Sequence, residues 1–311
     1  MTAMPLHIWS PSGVVADATA LKRAARHLGG LGFDVTIDAN AAARSQRFAG
    51  DDDSRLAALH RVAAARPDVA LGSRGGYGLT RLLDRVDWAL VGKSVAAGTR
   101  WVGFSDQTAL HNAALAHKAS GKGAPMWAGP HACEDFGRRA SEGGVDDVTE
   151  ACFNEAMHGE LEAVGFRELA ALRPPAGHDG LQVRGTLWGG NLCVLASLLG
   201  TPHFPRVKGG VLFLEDVNEH PYRVERMLLQ LQQAGVLDAQ KAVVLGAFSG
   251  WKRSPLDRGY TLKSAIDHVR CRTQTPLIAG LPFGHVPTKV CLPVGAKVTL
   301  AVQGRDVLVG W

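Results

Sequence analysis

The residues that could carry chemistry in this 311-residue chain are a serine, a histidine and an acid lying far apart in sequence. Ser105 stands in the stretch 101–110, which reads as a strand ending at Gly103-Phe104-Ser105-Asp106 and continuing as a helix. A hydroxyl at such a corner is exposed, beside backbone N–H groups that have no helical partner. Acyl transfer needs both features: a nucleophile on offer and donors for a developing oxyanion. The same residues also fit a serine that does no more than N-cap the helix.

A serine nucleophile needs a base. His285 has the most specific setting of the histidines: it follows Gly284 in a loop bounded by Pro282 and Pro287, after an apolar strand at 277–280. Such a loop can hold the ring with one nitrogen presented, or simply bond the imidazole to backbone. His111 falls about one and a half turns along the helix after Ser105 and points away from the corner, and His268 lies within another helix. The base in turn needs an orienting carboxylate. Glu215 and Asp216 close the apolar run 211–214, and an acid at a core boundary requires a partner. Either acid fits. Alternation places Leu212 and Leu214 opposite Glu215, and an ion pair with Arg223 or Arg226 is the non-catalytic use of that carboxylate.

The glycine loop Arg74-Gly75-Gly76-Tyr77-Gly78 follows another apolar run, 68–72. Its N–H groups could cradle a phosphate. They could also supply half of an oxyanion hole, from Gly75, with the N–H of Asp106 as the other half. The loop matches neither the P-loop nor the dinucleotide glycine pattern.

These residues need a frame. Strand signals at 6–9, 33–37, 68–72 and 100–104 alternate with helical periodicity at 18–31, 51–66, 79–84 and 107–118. That alternation predicts a parallel sheet with helices on its faces, and ligands gather at the C-terminal strand ends of such sheets. Both the glycine loop and Ser105 sit at such ends. Residues 122–148, rich in Gly, Pro and small polar types, read as a long surface excursion before a helix at 148–158. Pro174-Pro175 cannot sit inside a helix or a central strand, so 171–180 is the expected linker between a domain at 1–170 and a second at 181–311. The second half mixes strands at 182–188, 210–216 and 242–248 with helices ending near 199, at 221–234 and at 262–272, then short hairpins from 290. It is expected to be β-rich and partly barrel-like.

Bulk properties narrow the function classes. Hydrophobic residues make up 46% and charged residues 20%, as in a globular protein with a sizeable core. The net charge is +5, but Lys and Arg are scattered with no interleaved aromatics, which favours small anionic substrates over nucleic acid. The 5 cysteines form no C-x-x-C pair and read as reduced structural thiols. Residues 1–13 hold no Lys, Arg or long apolar run, and no stretch reaches the length of a membrane span. A cytoplasmic protein without membrane attachment is expected.

Taken together, the segments resemble one family, the LD-carboxypeptidases or muramoyltetrapeptide carboxypeptidases, a serine peptidase family. The matching segments are Arg74 to Gly78, Gly103 to Asp106, 185–192 with Gly200-Thr201, 214–222 and Gly284-His285, in that order. The resemblance implies Ser105 as nucleophile, His285 as general base, Glu215 as orienting acid, and the N–H groups of Gly75 and Asp106 as the oxyanion hole. It implies a flavodoxin-like or Rossmann-like N-terminal domain and a β-rich, swivelling C-terminal α/β domain, with the triad split between them. It also implies a cytoplasmic homodimer with no metal and no cofactor. Such an enzyme removes the terminal D-Ala from murein tetrapeptides or muropeptides in peptidoglycan recycling, cleaving the bond from the L-centre of diaminopimelate to D-Ala. Arg74 is the candidate cation for the D-Ala carboxylate. The alternatives are a family branch that hydrolyses aminoacyl-adenylate-type antibiotics for self-immunity, an inactive murein-peptide binder, and a phosphate or nucleotide binder using 74–78.

Overall fold

The computed structural model describes residues 3–121 and 123–311. Met1, Thr2 and Lys122, the last of these opening the stretch 122–148, lie outside the described residues. In the first half the order is β1 Met4–Trp9, α1 Ala18–Gly30, β2 Phe33–Ile37, α2 Asp52–Ala65, β3 Val69–Gly72, α3 Trp88–Ala96, β4 Arg100–Gly103, α4 Gln107–Ala116, β5 Met126–Ala128, α5 Asp147–His158 and β6 Ala163–Arg167. In the second it is β7 Gln182–Asn191, α6 Leu192–Leu198, β8 Val211–Val217, α7 Pro221–Gln233, β9 Ala242–Ser249, α8 Leu262–Arg270, β10 Leu277–Ala279, β11 Leu292–Val294, β12 Lys297–Gln303 and β13 Asp306–Gly310.

Short polar side chains fix where helices begin. The carboxylates of Asp17, Asp51, Asp87 and Asp146 accept backbone N–H bonds from the first turns of α1, α2, α3 and α5. Each cap satisfies a donor that the helix itself leaves orphaned. The acidic run at 51–53 thus starts a helix, as its composition predicts.

The first sheet has the order β11-β5-β4-β3-β1-β2. Strands β1 to β5 pair in parallel, in the order 2-1-3-4-5 of a flavodoxin-like sheet. Its two faces are covered by different helices. Leu6, Ile8, Val69, Leu71 and Val102 pack with Leu21 and Leu28 of α1 and Phe153 and Met157 of α5. Trp9, Ala70 and Trp101, of the opposite parity, pack with Leu59 and Val62 of α2, Val91 of α3 and Leu110 of α4. Both faces are dry, so these strands read as continuous apolar runs.

The second sheet has the order β10-β9-β8-β7-β12-β13-β6. Beyond its last strand, the Leu169 N–H donates to the carbonyl of Ala279 in β10 at 2.8 Å, so the two ends of the sheet approach one another. Leu187, Val211, Phe213, Val244 and Ile278 face the inside of this curl and continue the core of the first sheet. Trp188, Leu212, Leu214, Val243 and Leu245 face outward onto α6, α7 and α8. The whole is a two-domain α/β fold.

Four elements differ from the sequence reading, one of them β6, an unforeseen strand that precedes the expected linker yet pairs with β13 in the second sheet. Residues 126–137 are not part of a surface excursion: Met126, Trp127 and Ala128 are a buried strand of the first sheet, and Ala132–Phe136 is a largely buried turn of helix, while 138–148 return to the surface. A three-residue strand is too short to show alternation. The helix expected at 79–84 is a pair of short 3₁₀ turns, Leu79–Arg81 and Leu83–Arg85, followed by an unforeseen α3. The hairpin expected around 290 is instead split: β11 leaves the second half and pairs antiparallel with β5 of the first sheet.

Candidate active site

Strand β4 ends at Gly103, and the chain then turns so sharply that Ser105 takes φ +59°. A left-handed backbone is costly for a residue with a Cβ and persists only where its surroundings enforce it. Ser105 does not cap α4. The capping position is Asp106, in a helical conformation and without a side-chain cap bond. The Asp106 carboxylate is engaged elsewhere: it accepts from the Ser12 hydroxyl at 2.6 Å and from the Leu79 N–H at 2.9 Å. It thereby ties the loops after β1 and β3 to the turn, and burial pushes its carboxyl pKa up.

The surroundings of the turn are tight. A Cβ on Gly75 would lie 2.8 Å from both Cβ and Oγ of Ser105. The buried ring of His131 stacks on Phe104 with ring centroids 4.4 Å apart. Its Nε2 accepts the Phe104 N–H at 3.3 Å, so Nδ1 carries the proton and donates to Glu134 at 3.1 Å. Sequence reasoning missed His131 because it lies in the stretch taken for surface. Gly75, just past the end of the neighbouring strand β3, lies against the Ser105 side chain, and among the described residues neither its N–H nor that of Asp106 donates to a protein acceptor.

His285 reaches the serine from the other half. Its Nε2 is 3.1 Å from Ser105 Oγ, and its Nδ1 is 2.8 Å from Glu215 Oε2. Gly284, at φ +135°, is needed twice over: only glycine adopts that angle freely, and a Cβ there would lie 3.0 Å from Glu215 Oε2. The Ala247 N–H holds the carbonyl of Phe283, and Ser249 Oγ donates to the carbonyl of His285. Burial lowers the His285 pKa, but the hydrogen bond and charge of Glu215 outweigh it, and the net shift is upward.

The choice between the two acids, open in the sequence, is made by the pleat. Glu215 shares parity with Val211 and Phe213, points inward, is fully buried and meets His285. Asp216 points the other way and accepts from the N–H groups of Cys193 and Val217, both at 2.8 Å. Burial, with the Glu215 charge beside it, pushes the Asp216 carboxyl up to about 6. Asn191 links the two acids: its Nδ2 donates to Glu215 Oε1 at 3.1 Å and to Asp216 Oδ1 at 3.0 Å. Its Oδ1 meanwhile caps α6 through the Val194 N–H. In the sequence the asparagine is visible only as one residue of the segment 185–192. His111 is buried in α4, its pKa pushed down to about 3 by burial, and makes no bond to Ser105.

Two of the hydrogen bonds between the halves lie beside the site. Asn112 of α4 donates to the carbonyl of Gly189 at 2.8 Å, and Thr108 Oγ1 accepts the Asn191 N–H at 2.9 Å. The helix that begins beside the nucleophile is thus clamped to the strand next to the one carrying Glu215. A cavity of about 860 Å³ opens at this seam, lined among others by Arg47, Gly76, Tyr77, Ser105, Asn191, Asp216 and Glu219. Arg74 does not line it. Arg74 faces a neighbouring cavity, pairs with Glu134 at 3.3 Å and donates to the Val14 carbonyl at 2.9 Å.

Fold and geometry define a class: a two-domain α/β protein with a Ser–His–Glu relay across the seam between its halves. Comparison with known proteins makes the class specific. The model of the LD-carboxypeptidase N-terminal domain matches residues 6–121, and that of the LD-carboxypeptidase C-terminal domain matches residues 184–300. The murein tetrapeptide carboxypeptidase of Pseudomonas aeruginosa is 32% identical, over 96% of this chain and 98% of its own. The probable murein peptide carboxypeptidase of Bacillus subtilis is 30% identical, over 96% and 90%. The crystal structure of muramoyltetrapeptide carboxypeptidase from Oxalobacter formigenes superposes with a TM-score of 0.86 at 37% identity, covering 99% of both chains. The microcin C7 self-immunity protein MccF, in complex with aspartyl sulfamoyl adenosine, shares the fold with a TM-score of 0.83 at 20% identity, over all of this chain and 97% of that one. The chain belongs to the LD-carboxypeptidase family, and it is a serine-type carboxypeptidase. Among the described residues, no helix is long and apolar enough to cross a membrane.

Proposed function

We propose that this enzyme releases the terminal D-Ala from murein tetrapeptides in the cytoplasm, as a homodimer, through an acyl-enzyme on Ser105. The observation that carries the reading is the unbroken chain Ser105 Oγ to His285 Nε2 at 3.1 Å and His285 Nδ1 to Glu215 Oε2 at 2.8 Å. Ser105 Oγ attacks the carbonyl carbon on the L-centre of diaminopimelate while His285 Nε2 takes its proton. Glu215 holds the ring through Nδ1–H and stabilises the imidazolium. The N–H groups of Gly75 and Asp106 receive the oxyanion. The proton on Nε2 then passes to the amine of D-Ala, the C–N bond breaks, and a water attacking by the same route releases the shortened peptide. Division into a nucleophile domain and a base domain about 171–180 is part of this reading, with β6 and β11 each crossing to the other part's sheet.

The test is D-Ala release from purified tetrapeptide. Ser105→Ala is expected to lower kcat on the order of 10⁴- to 10⁶-fold, and unchanged release would remove the assignment. Aminoacyl sulfamoyl nucleosides and aminoacyl adenylates, run in parallel, measure the antibiotic-directed alternative. A pure binder would show affinity for tetrapeptide without turnover.

A further inference from the structure

A carboxypeptidase must tell a chain end from a chain interior. The distinguishing group is the terminal carboxylate, two bonds from the scissile nitrogen. It therefore has to be met inside the same cavity as the nucleophile. Among the described residues, Arg47 is the one lysine or arginine lining that cavity.

Arg47 is built to be available. Its backbone is pinned: the Val14 N–H donates to the Arg47 carbonyl at 2.9 Å, while Ser45 and Phe48 exchange hydrogen bonds around it at 3.0 and 2.9 Å. The side chain is exposed, and its guanidinium stands 5.8 Å from the ring centroid of Tyr77, itself a cavity residue. Among the described residues the guanidinium has no carboxylate partner. Each of the four acids in the cavity wall is already engaged, Asp106 by the Ser12 hydroxyl and the Leu79 N–H. Asp84 accepts from His203 at 2.9 Å. Asp216 accepts from Asn191, Cys193 and Val217. Glu219 pairs with Arg223 at 2.6 Å. Acids on the wall repel a peptide carboxylate, and the one guanidinium there attracts it. Arg74, the cation that sequence alone suggests, is neutralised by Glu134 and lines a different cavity.

We infer that Arg47 is the residue that binds the C-terminal carboxylate of the substrate and so makes the site carboxypeptidase-specific. The inference rests on the carboxypeptidase reading above. The planar fork of arginine donates to both oxygens of a carboxylate, which an ammonium cannot do in the same geometry. Stacking against Tyr77 limits the side chain's freedom before substrate arrives, so less entropy is lost on binding.

The experiment compares L-Ala-γ-D-Glu-meso-diaminopimelyl-D-Ala with its C-terminal carboxamide, on wild type, Arg47→Ala, Arg47→Lys and Arg74→Ala. Charged hydrogen bonds of this kind correspond to about 10- to 100-fold in binding. Wild type is expected to prefer the free acid by at least that factor in kcat/KM. Arg47→Ala is expected to lose the preference, mostly through KM, with the carboxamide turned over as before. Arg47→Lys should restore part of it, and Arg74→Ala should keep the wild-type ratio. Preference retained in Arg47→Ala, or lost in Arg74→Ala, overturns the assignment while leaving the tetrapeptide activity standing. Wild type that releases no D-Ala from the free acid overturns the activity and this inference with it. Arg47 is exposed and hydrogen-bonds no other side chain among the described residues, so its variants are expected to fold; unchanged thermal unfolding checks this.

Discussion

Gly75→Ala places one methyl group against the nucleophile. That carbon would lie 2.8 Å from Cβ and Oγ of Ser105 and 3.2 Å from Cε1 of His131. Ordinary contact begins at 3.4 Å, so something must retreat by about 0.6 Å, the difference of 3.4 and 2.8. If Ser105 retreats, its 3.1 Å contact with His285 opens beyond hydrogen-bonding reach. If residue 75 retreats, its N–H leaves the oxyanion position. Loss of one such donor costs about 10²- to 10³-fold in kcat, and a misplacement approaching 1 Å costs about 10²-fold. A fall in kcat of roughly 10²- to 10³-fold is therefore expected either way. Gly75 has no left-handed φ, so the folding cost is that of overpacking alone, about 1–3 kcal/mol. The assay is D-Ala release with thermal unfolding measured on the same samples. Gly30→Ala, where a Cβ meets nothing within 4 Å, is the matched control and should match wild type. A Gly75→Ala enzyme within about threefold of wild-type kcat would refute the placement of Gly75 against the nucleophile as a catalytic requirement.

Other outcomes follow from the same geometry. Only neutral His285 accepts a proton, and Glu215 raises its pKa above the ordinary 6.5, so kcat/KM is expected to climb with pH through a midpoint above that value. A profile flat between pH 5 and 8 would exclude His285 as the base. The linked stability has the opposite sign: the His285–Glu215 pair contributes fully below 6.5 and is lost as pH rises through the raised folded-state value. Glu215→Gln should lower the kinetic midpoint and reduce kcat on the order of 10⁴-fold. Asn191→Leu removes the donor shared by Glu215 and Asp216 and the cap of α6, so it should lower both kcat and the unfolding temperature. If that variant unfolds at the wild-type temperature with full activity, the asparagine bridge has no role in holding the acids.

Much of the fold was legible because both sheets have dry faces. Strands β1, β3, β4, β8 and β9 are apolar on both sides, so they stand out as short runs between helix signals. The aspartate run at 51–53 marks the start of α2 by a purely local mechanism. What was not legible had too little length or the wrong surroundings. β5 and β11 are three residues each, and their pairing depends on a partner strand some 160 residues away in the chain rather than on local propensity. His131 stayed hidden for the same reason, since nothing in its neighbourhood signals burial.

The sequence by itself determined the kinds of group available: a serine at a strand-to-helix corner, a glycine-preceded histidine, paired acids after an apolar strand, and a glycine loop. These are local facts, set by turn chemistry and periodicity. Tertiary structure decided which of them meet. The inward pleat of β8 selected Glu215 over Asp216, because side chains one residue apart leave a strand on opposite faces. The clamp from Asn112 and Thr108 to the end of β7 brought His285 to Ser105 across 180 residues of chain. Charge pairing, invisible to spacing, placed Arg74 on Glu134 and, among the described residues, left Arg47 in the cavity without a carboxylate partner.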